Sequence, residues 1–261
     1  MSAPSAASTP ASATATLPYW PYPRWVAHRG AGKLAPENTL AAFRLGAQHG
    51  YRMFECDAKL SRDGVPFLLH DATLQRTTNA KGTAGKLDWS ALAQLDAGAW
   101  HSRQYAGEPL PTLAALAHFC IANGYFLNIE IKPTPGQEKI TGHVVGEHAA
   151  RLWHGQAVPP LFSSFRPEAL AGAQATAPHI PRALLLDTLA EGWLETARNL
   201  GCVAIVCNHA LWDAALVATV HSQGLRALSY TVNDEWAAER LLALDTDGII
   251  TDRVDLFSPA I

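Results

Sequence analysis

The chain has 261 residues, of which 48% are hydrophobic, and its formal net charge is −3. This length and apolar content suit one large core, and single-domain α/β barrels commonly have about 250 residues. The sequence contains no run of Lys and Arg residues, which argues for a small-molecule partner rather than nucleic acid or a membrane surface, since polyanions are bound by clustered positive charge.

The N-terminal segment is rich in Ala, Ser, Thr and Pro, and its first 18 residues include no Lys, no Arg and no continuous apolar stretch. It lacks the features of a secretion signal, so we expect residues 1–22 to form a disordered tail before one catalytic domain, residues 23–261. The four cysteines have no CxxC spacing and are expected to be reduced thiols. No window has the roughly 20 consecutive apolar residues of a bilayer span. The sequence thus predicts a cytoplasmic protein without stable membrane association, and it leaves the oligomeric state open.

From Trp25 onward, short β-rich segments alternate with longer segments of helical periodicity. The eight predicted strands are residues 25–29, 53–60, 126–132, 161–165, 182–187, 203–208, 227–233 and 248–252. The predicted helices are residues 39–49, 112–123, 138–153, 167–176, 193–200, 213–222 and 235–244. Such alternation requires parallel strands joined by crossover helices, and eight of these strands close into a barrel. The predicted fold class is therefore α/β, a (β/α)8 TIM barrel.

One stretch interrupts the alternation after the second predicted strand. Residues 65–70 are typical of an extra short strand following the Asp63-Gly64 turn, and residues 71–111 continue with Gly, Asn, Trp and Thr before the next helix. We interpret residues 71–111, approximately, as a small inserted segment. In a barrel this position lies at the C-terminal mouth, where the insertion could cover a substrate.

Polar and charged residues crowd the C-terminal ends of the predicted strands, where the catalytic groups of barrel enzymes meet. Side chains at i and i+2 of a strand share a face, so Glu55 projects with Asp57, and Glu130 with Lys132. Three buried carboxylates would repel one another and lose hydration, which one lysine does not offset. The pattern favours one divalent cation on Glu55, Asp57 and Glu130, although rim salt bridges would use the same residue types. Ligands that are all oxygen favour Mg²⁺ or Ca²⁺ over zinc.

Two histidines are expected at the same mouth, His28 from the first strand and His70 from the hairpin after the second. Imidazole titrates near neutrality, which suits it to accept and donate a proton in catalysis. Arg29 is a candidate for bidentate phosphate binding, with Lys132 as an added point charge, although Arg29 could instead form a structural ion pair. Asp71 either orients His70 or begins the following turn.

Six short segments occur along the chain in this order: His28-Arg29-Gly30, Pro36-Glu37-Asn38-Thr39, Glu55-Cys56-Asp57, His70-Asp71, Glu130-Ile131-Lys132 and Thr251-Asp252. Together they resemble the glycerophosphodiester phosphodiesterases, from about Trp25 to the C-terminus, and the bacterial cytoplasmic branch most closely. The resemblance implies a barrel with an insertion after the second strand. It also implies a divalent metal on the positions of Glu55, Asp57 and Glu130, and acid/base roles for His28 and His70.

The activity that this resemblance implies is metal-dependent hydrolysis of glycerophosphodiesters to glycerol 3-phosphate and an alcohol. Two alternatives are a lysophospholipase D-like enzyme on lipid substrates and a non-catalytic barrel that binds a phosphodiester. The lack of an apolar anchoring helix argues against the first, and the complete set of carboxylates and histidines argues against the second. The sequence leaves open the roles of Glu37, Asn38 and Tyr230, which histidine is the acid, and whether water or the glycerol 2-hydroxyl attacks.

Overall fold

The computed structural model describes residues 17–257 and Pro259. Residues 1–16, most of the predicted tail, lie outside the described residues. Within the described part of the chain, every helix is too short or too polar to cross a bilayer.

Eight parallel strands close into a barrel, as predicted. Within residues 17–257 the strands are β1 (Trp25–Ala27), β2 (Met53–Leu60), β3 (Pro66–Leu68), β4 (Phe126–Ile131), β5 (Leu161–Ser164), β6 (Arg182–Leu186), β7 (Ala204–Asn208), β8 (Arg226–Tyr230) and β9 (Gly248–Thr251). Apart from β3, each strand pairs in parallel with the next barrel strand, and β1 pairs with both β2 and β9. The pairing of β1 with β9 closes the ring.

Helices follow the barrel strands and cover the outside of the ring. Those described are α1 (Leu40–Gln48), α2 (Trp89–Leu92), α3 (Leu113–Asn123), α4 (Glu138–Leu152), α5 (Pro167–Thr176), α6 (Trp193–Asn199), α7 (Ala214–Ser222) and α8 (Glu235–Ala243). Thr39 and Thr112 begin α1 and α3 by accepting a hydrogen bond from a free backbone N–H in the first turn. Gly124 ends α3 with a φ of +66°, a conformation that glycine adopts without strain.

Alternation along the strands separates an inner from an outer face. The inward side chains at the base of the barrel pack together in one cluster, which includes Val26, Met53, Leu161, Leu185, Val206, Leu228 and Ile250. The outward residues of β2, Phe54 and Cys56, belong instead to the larger cluster between strands and helices. Because Met53 points inward, Glu55 and Asp57 also point inward, above the apolar base. The strand period therefore carries the polar residues to the C-terminal end of the barrel, here called the mouth.

Strand β1 ends earlier than predicted, at Ala27 rather than residue 29. Its last ladder contact is the hydrogen bond from the His28 backbone N–H to Thr251 O, at 3.0 Å. Arg29 then has a φ of +52°, which is rare for a side-chain-bearing residue and turns the chain out of the strand direction. His28 and Arg29 therefore stand on a turn at the mouth rather than on the strand itself.

The N-terminal end of the barrel is closed by residues that the sequence assigned to the tail. Tyr22 is 6% exposed, packs edge-on against Phe126 and donates its hydroxyl hydrogen bond to Pro159 O at 3.0 Å. Trp20 packs against Tyr22 with ring centroids 4.8 Å apart. The packed chain thus begins no later than Trp20, before the predicted boundary at residue 23, because the apolar base of the barrel needs a cover.

The inserted segment lies where the sequence predicted it, after the second strand. Strand β3 pairs antiparallel with the end of β2, and the chain then runs through α2 to reach α3. The segment has a small apolar core of its own, formed by Phe67, Leu69, Leu74, Ala84, Leu92, Ala97 and Leu110. It contacts the first turn of α1, where Glu108 Oε1 accepts from the Ala41 N–H, and the loop before α1, where His101 Nε2 lies 3.0 Å from Lys33 O. These contacts hold the insertion beside the mouth.

Candidate active site

Three carboxylates from two adjacent strands meet inside the mouth. Strand register pairs Asp57 with Glu130, and Glu55 lies two residues earlier on the same face of β2. One oxygen from each of Glu55, Asp57 and Glu130 lies within 4.8 Å of the others, and all three residues are buried. The structure therefore brings together the three residues that the sequence proposed as metal ligands.

The electrostatics of this cluster fit a bound cation. Glu55 Oε1 and Asp57 Oδ1 are buried and have no hydrogen-bond partner among the described residues. Burial and the neighbouring carboxylates raise the pKa of Glu55 well above its ordinary value, and burial together with Asp57 raises the pKa of Glu130. Buried, unpaired carboxylate oxygens at this spacing are the ligands that hard divalent cations prefer. The residues present fit Mg²⁺ or Ca²⁺.

Two cationic side chains flank the carboxylates. Arg29 donates its backbone N–H to Glu55 Oε2 at 3.0 Å, and its Nε lies 3.3 Å from Asp57 Oδ2. Lys132 Nζ donates to Glu130 Oε1 at 2.7 Å and lies 3.8 Å from Asp57 Oδ1. Burial opposes ionisation of Asp57, but the charges of Arg29 and Lys132 outweigh it and lower the pKa of Asp57. An anion beside the three carboxylates would meet positive charge on two sides.

His28 is oriented by a carboxylate from the last strand. Its Nδ1 lies 2.7 Å from Asp252 Oδ1, and its Nε2 lies 3.8 Å from Glu55 Oε2. Asn233 holds Asp252 in turn, because its Nδ2 donates to Asp252 Oδ2 at 2.9 Å and its Oδ1 accepts from the Asp252 N–H at 2.9 Å. Burial acts to raise the pKa of Asp252, but the hydrogen bond from His28 outweighs it and the pKa falls to about 2. The arrangement leaves Nε2 of His28 facing the carboxylates.

His70 stands across the mouth, with Asp71 beside its ring. The distance from His70 Nδ1 to Asp71 Oδ1 is 2.8 Å, so Asp71 orients the histidine, one of the two roles the sequence left open. Hydrogen bonds from Arg76 lower the pKa of Asp71 to about 2, while burial lowers the pKa of His70. A cavity of about 380 Å³ opens beside His70 and Lys132. His70 thus lines this larger cavity, whereas His28 lines a smaller space beside Glu55.

Known proteins share both sequence similarity and the fold with this chain. The sequence profile of the glycerophosphoryl diester phosphodiesterase family matches residues 28–256. The chain belongs to this family. A putative glycerophosphodiester phosphodiesterase of Bacillus subtilis (strain 168), YhdW, is 30% identical over 238 residues, which cover 88% of this chain and 94% of the relative. The solved structure of an Oleispira antarctica phosphodiesterase in complex with the product sn-glycerol-3-phosphate is 35% identical, with a TM-score of 0.82, and the match covers 88% of this chain and 93% of that one.

A second curated relative extends the agreement beyond one genus. The glycerophosphodiester phosphodiesterase of Caldanaerobacter subterraneus is 31% identical over 234 residues, which cover 87% of this chain and 93% of the relative. The family resemblance predicted from the six sequence segments is therefore confirmed, as is the barrel fold.

In this family member, the segment before α1 supports the mouth as well as starting a helix. Asn38, with a φ of +59°, exchanges two hydrogen bonds with Asp57: Nδ2 donates to Oδ2 at 2.8 Å, and Oδ1 accepts from the backbone N–H at 3.0 Å. Glu37 Oε1 accepts from Arg29 Nη1 at 2.9 Å. Thr39 is the residue that caps the helix. Asn38 and Glu37 therefore contact residues of the candidate site, while Thr39 starts the helix.

Sequence reasoning assigned no role to three residues that support the candidate active site. Asp252 and Asn233 were noted as polar residues at the ends of predicted strands but were given no role, and Arg76 was not singled out. A polar residue at the end of a barrel strand was a usable signal for Asp252 and Asn233. No such signal exists for Arg76, an arginine within the insertion whose neighbours are fixed only by folding.

Tyr230, whose role the sequence left open, forms part of the wall beneath the carboxylates. Its hydroxyl donates to Leu186 O at 3.2 Å, and its ring packs edge-on against Phe165 with centroids 5.5 Å apart. The remaining space between this wall, His28 and Glu55 is only about 20 Å³. A substrate therefore approaches from the mouth and not from the barrel interior.

Proposed function

We propose that this protein hydrolyses glycerophosphodiesters to glycerol 3-phosphate and an alcohol with the help of one divalent cation. The observation that carries the proposal is that three buried carboxylates, two cationic side chains and two imidazoles, each next to a carboxylate, meet at one barrel mouth. The product named for the Oleispira antarctica structure supports the assignment of glycerol 3-phosphate. Phosphodiester hydrolysis needs charge neutralisation and proton transfer, and these groups supply both.

The cationic side chains bind the phosphate group. Arg29 and Lys132 contact the carboxylate cluster from two sides, which places them next to any anion held there. Arginine binds two oxygens of one phosphate, and lysine adds a point charge. Held by Glu55, Asp57 and Glu130, Mg²⁺ or Ca²⁺ would supply Lewis-acid stabilisation of the negative charge that develops on phosphorus-bound oxygen.

The imidazoles move the protons. With Nδ1 engaged by Asp252 or Asp71, each histidine has Nε2 available toward the substrate. One histidine accepts the proton of the attacking hydroxyl, and the other donates a proton to the leaving alcohol. The attacking group is water or the glycerol 2-hydroxyl, and trapping a cyclic glycerophosphate in a quenched time course would identify the second route.

The test is release of glycerol 3-phosphate from glycerophosphocholine, glycerophosphoethanolamine and glycerophosphoglycerol, with Mg²⁺, Ca²⁺ or EDTA. We expect release to require the cation and to fall by about 100-fold or more in His28→Ala, the loss typical of a missing acid/base group. Glu55→Ala should abolish the response to the cation. His118→Ala, a change at an exposed position on α3, is the matched control and should behave as the wild type.

A negative result has a clear meaning. If purified protein releases nothing from any of the three substrates with either cation, the proposed reaction is wrong. Activity on lysolipid micelles without activity on glycerophosphocholine would instead favour the lipid-cleaving alternative.

We also propose a cytoplasmic location. The four cysteines, all within the described residues, are free and buried in the core. Free thiols are typical of proteins that work in a reducing compartment. Fractionation of the source cells with an antibody against the protein would test this, and recovery from an oxidising compartment would contradict it.

A further inference from the structure

One arginine of the insertion contacts both sides of the mouth. Arg76 donates to Asp71 from Nε and Nη2, at 2.7 and 3.1 Å, and to Glu37 from Nη1 and Nη2, at 2.7 and 2.8 Å. Four hydrogen bonds therefore join one guanidinium to two carboxylates. Asp71 belongs to the insertion, whereas Glu37 belongs to the loop between β1 and α1.

Each of these carboxylates also holds a group of the active site. Asp71 Oδ1 lies 2.8 Å from Nδ1 of His70, and Glu37 Oε1 accepts from Nη1 of Arg29. A continuous series of contacts thus runs from His70 to Arg29, with Arg76 at its centre. These two end groups have different tasks in the proposed reaction, since one transfers a proton and the other binds phosphate.

We propose that Arg76 is a positioning residue that fixes His70 and Arg29 relative to one another. The inference rests on the proposed function for its catalytic consequence. Its physical basis is the planar guanidinium, whose five N–H groups can satisfy both oxygens of two carboxylates at once. A lysine has three donors on a flexible stem and cannot hold both carboxylates in this geometry.

A stabilising surface ion pair is the competing explanation, and Arg62, in the turn between β2 and β3, offers a control for it. The side chain of Arg76 is 44% exposed, and exposed ion pairs contribute little to stability. Arg62 also pairs with a carboxylate through two hydrogen bonds, to Asp88, and its side chain is 65% exposed. Arg62 contacts no residue of the mouth. Both arginines form ion pairs with carboxylates. Only the partners of Arg76 contact residues of the candidate active site.

The experiment compares Arg76→Met, Arg76→Lys and Arg62→Met in thermal unfolding and in kcat and KM for a cleaved glycerophosphodiester. Misplacement of reacting groups by about 1 Å can cost roughly 100-fold in rate, so we expect a 10- to 100-fold loss of kcat/KM in Arg76→Met. Arg76→Lys should recover little of it. Arg62→Met should keep wild-type kinetics, and both methionine variants should unfold within a few degrees of the wild type.

A second arm asks whether Arg76 acts through its two partners. In a Glu37→Gln, Asp71→Asn background, both contacts to the active site are already weakened, so adding Arg76→Met should lower kcat/KM by less than about 3-fold. Full additivity of the losses would overturn the proposal. Equal kinetic losses in Arg76→Met and Arg62→Met would overturn it as well.

A measurement that needs no catalysis tests this inference separately from the proposed function. In ¹⁵N-histidine NMR, the hydrogen bond at Nδ1 of His70 fixes one tautomer, and its signals should change in Arg76→Met but not in Arg62→Met. Unchanged His70 signals in Arg76→Met would overturn the positioning role even if no substrate is cleaved. An inactive wild-type protein whose His70 signals respond to Arg76→Met would refute the proposed reaction and leave the positioning of His70 supported.

Discussion

The two imidazoles at the mouth each have a carboxylate at Nδ1, but the carboxylates are held differently. Asp252 is held by the neutral side-chain amide of Asn233, which donates to its carboxylate and accepts from its backbone N–H, whereas Asp71 is held by the cationic Arg76. A carboxylate paired with arginine offers less negative charge to a protonated histidine than one paired with an amide. The two histidines therefore have electrostatically distinct surroundings, which suits a division of labour between acid and base.

At this scale we expect Asp252→Asn to lower kcat by roughly 100-fold or more, because a general acid or base in the wrong tautomer loses most of its contribution. The amide cannot accept the Nδ1 proton in the way the carboxylate does. Steady-state kinetics on a cleaved glycerophosphodiester is the measurement. Asp255→Asn is the control, since Asp255 lies three positions after Asp252 and forms an exposed ion pair with Arg253. Equal effects of the two changes would contradict the role given to Asp252.

Sequence reasoning proposed the residues whose chemistry shows in a short segment and gave no role to those whose contacts depend on the whole fold. His28, Glu55 and Asp57 lie at predictable strand ends. Asp252 is 224 positions from His28, so only the closure of the barrel brings them together. The role of Arg76 depends on how the insertion folds back, which no local periodicity encodes.

At the scale of elements, strand β2 carries three charged side chains on one buried face. Its inward positions run from Met53 through Glu55 and Asp57 to Lys59, whose Nζ donates to Lys132 O at 2.7 Å. Burial is the main reason why the pKa of Lys59 falls to about 8. Two acids and a lysine on one buried strand face are unfavourable for folding alone and are expected where a ligand compensates for them.

We expect Glu55→Gln to stabilise the cation-free protein, because it removes one of three mutually repelling buried carboxylates. A gain of about 1 kcal/mol would raise the unfolding temperature by roughly 2–4 °C in EDTA for a chain of this size. The wild type should be stabilised by Mg²⁺ or Ca²⁺, and the variant much less. Thermal unfolding with and without cation is the measurement, with the exposed Glu147→Gln as control. If the cation raises the unfolding temperature equally in the wild type and in Glu55→Gln, Glu55 does not bind the cation.

The strand ends also shape the cavity beside His70, where the proposed reaction would place the leaving alcohol. The cavity beside His70 is lined by one aromatic ring, Phe165, and the ammonium of Lys132 already lies 5.4 Å from its centroid. A quaternary ammonium, which is usually bound by free aromatic faces, would meet a like charge there. Arg166, exposed at the rim of the cavity, adds positive charge that suits hydroxyl or anionic groups.

We therefore expect kcat/KM for glycerophosphoglycerol to exceed that for glycerophosphocholine by roughly 10-fold, the scale of one well-placed polar contact. Arg166→Gln should reduce this ratio, while Arg151→Gln, an exposed change on α4, should leave it unchanged. Paired assays at equal substrate concentrations measure the ratio. A wild-type preference for the choline substrate would show that the alcohol lies elsewhere.

At the scale of the whole molecule, the strand and helix order was predictable because each buried parallel strand is a short apolar run between helical segments. The closure of the N-terminal end of the barrel was not predictable from the sequence. Trp20 and Tyr22 lie in a Pro-rich segment without periodicity, and their packing under the barrel follows from the three-dimensional gap that they fill. Local patterns cannot report such a gap.

We expect Tyr22→Ala to destabilise the protein by about 3 kcal/mol, the usual cost of removing a buried aromatic ring, without changing KM or kcat. The ring lies at the opposite end of the barrel from the carboxylates. Tyr19→Ala is the control, since Tyr19 is 88% exposed and should contribute little. Urea unfolding and steady-state kinetics on the same samples are the measurements. A change in KM for Tyr22→Ala would mean that the two ends of the barrel are coupled.

The pairing of β1 with β9 has a consequence for how the protein is made. His28 leaves the ribosome 224 residues before Asp252, the carboxylate that lies at its Nδ1. A nascent chain that has exposed β1 to β8 contains nearly all of the site and still has His28 without its partner. In the proposed reaction, efficient proton transfer by His28 would therefore depend on closure of the ring by β9.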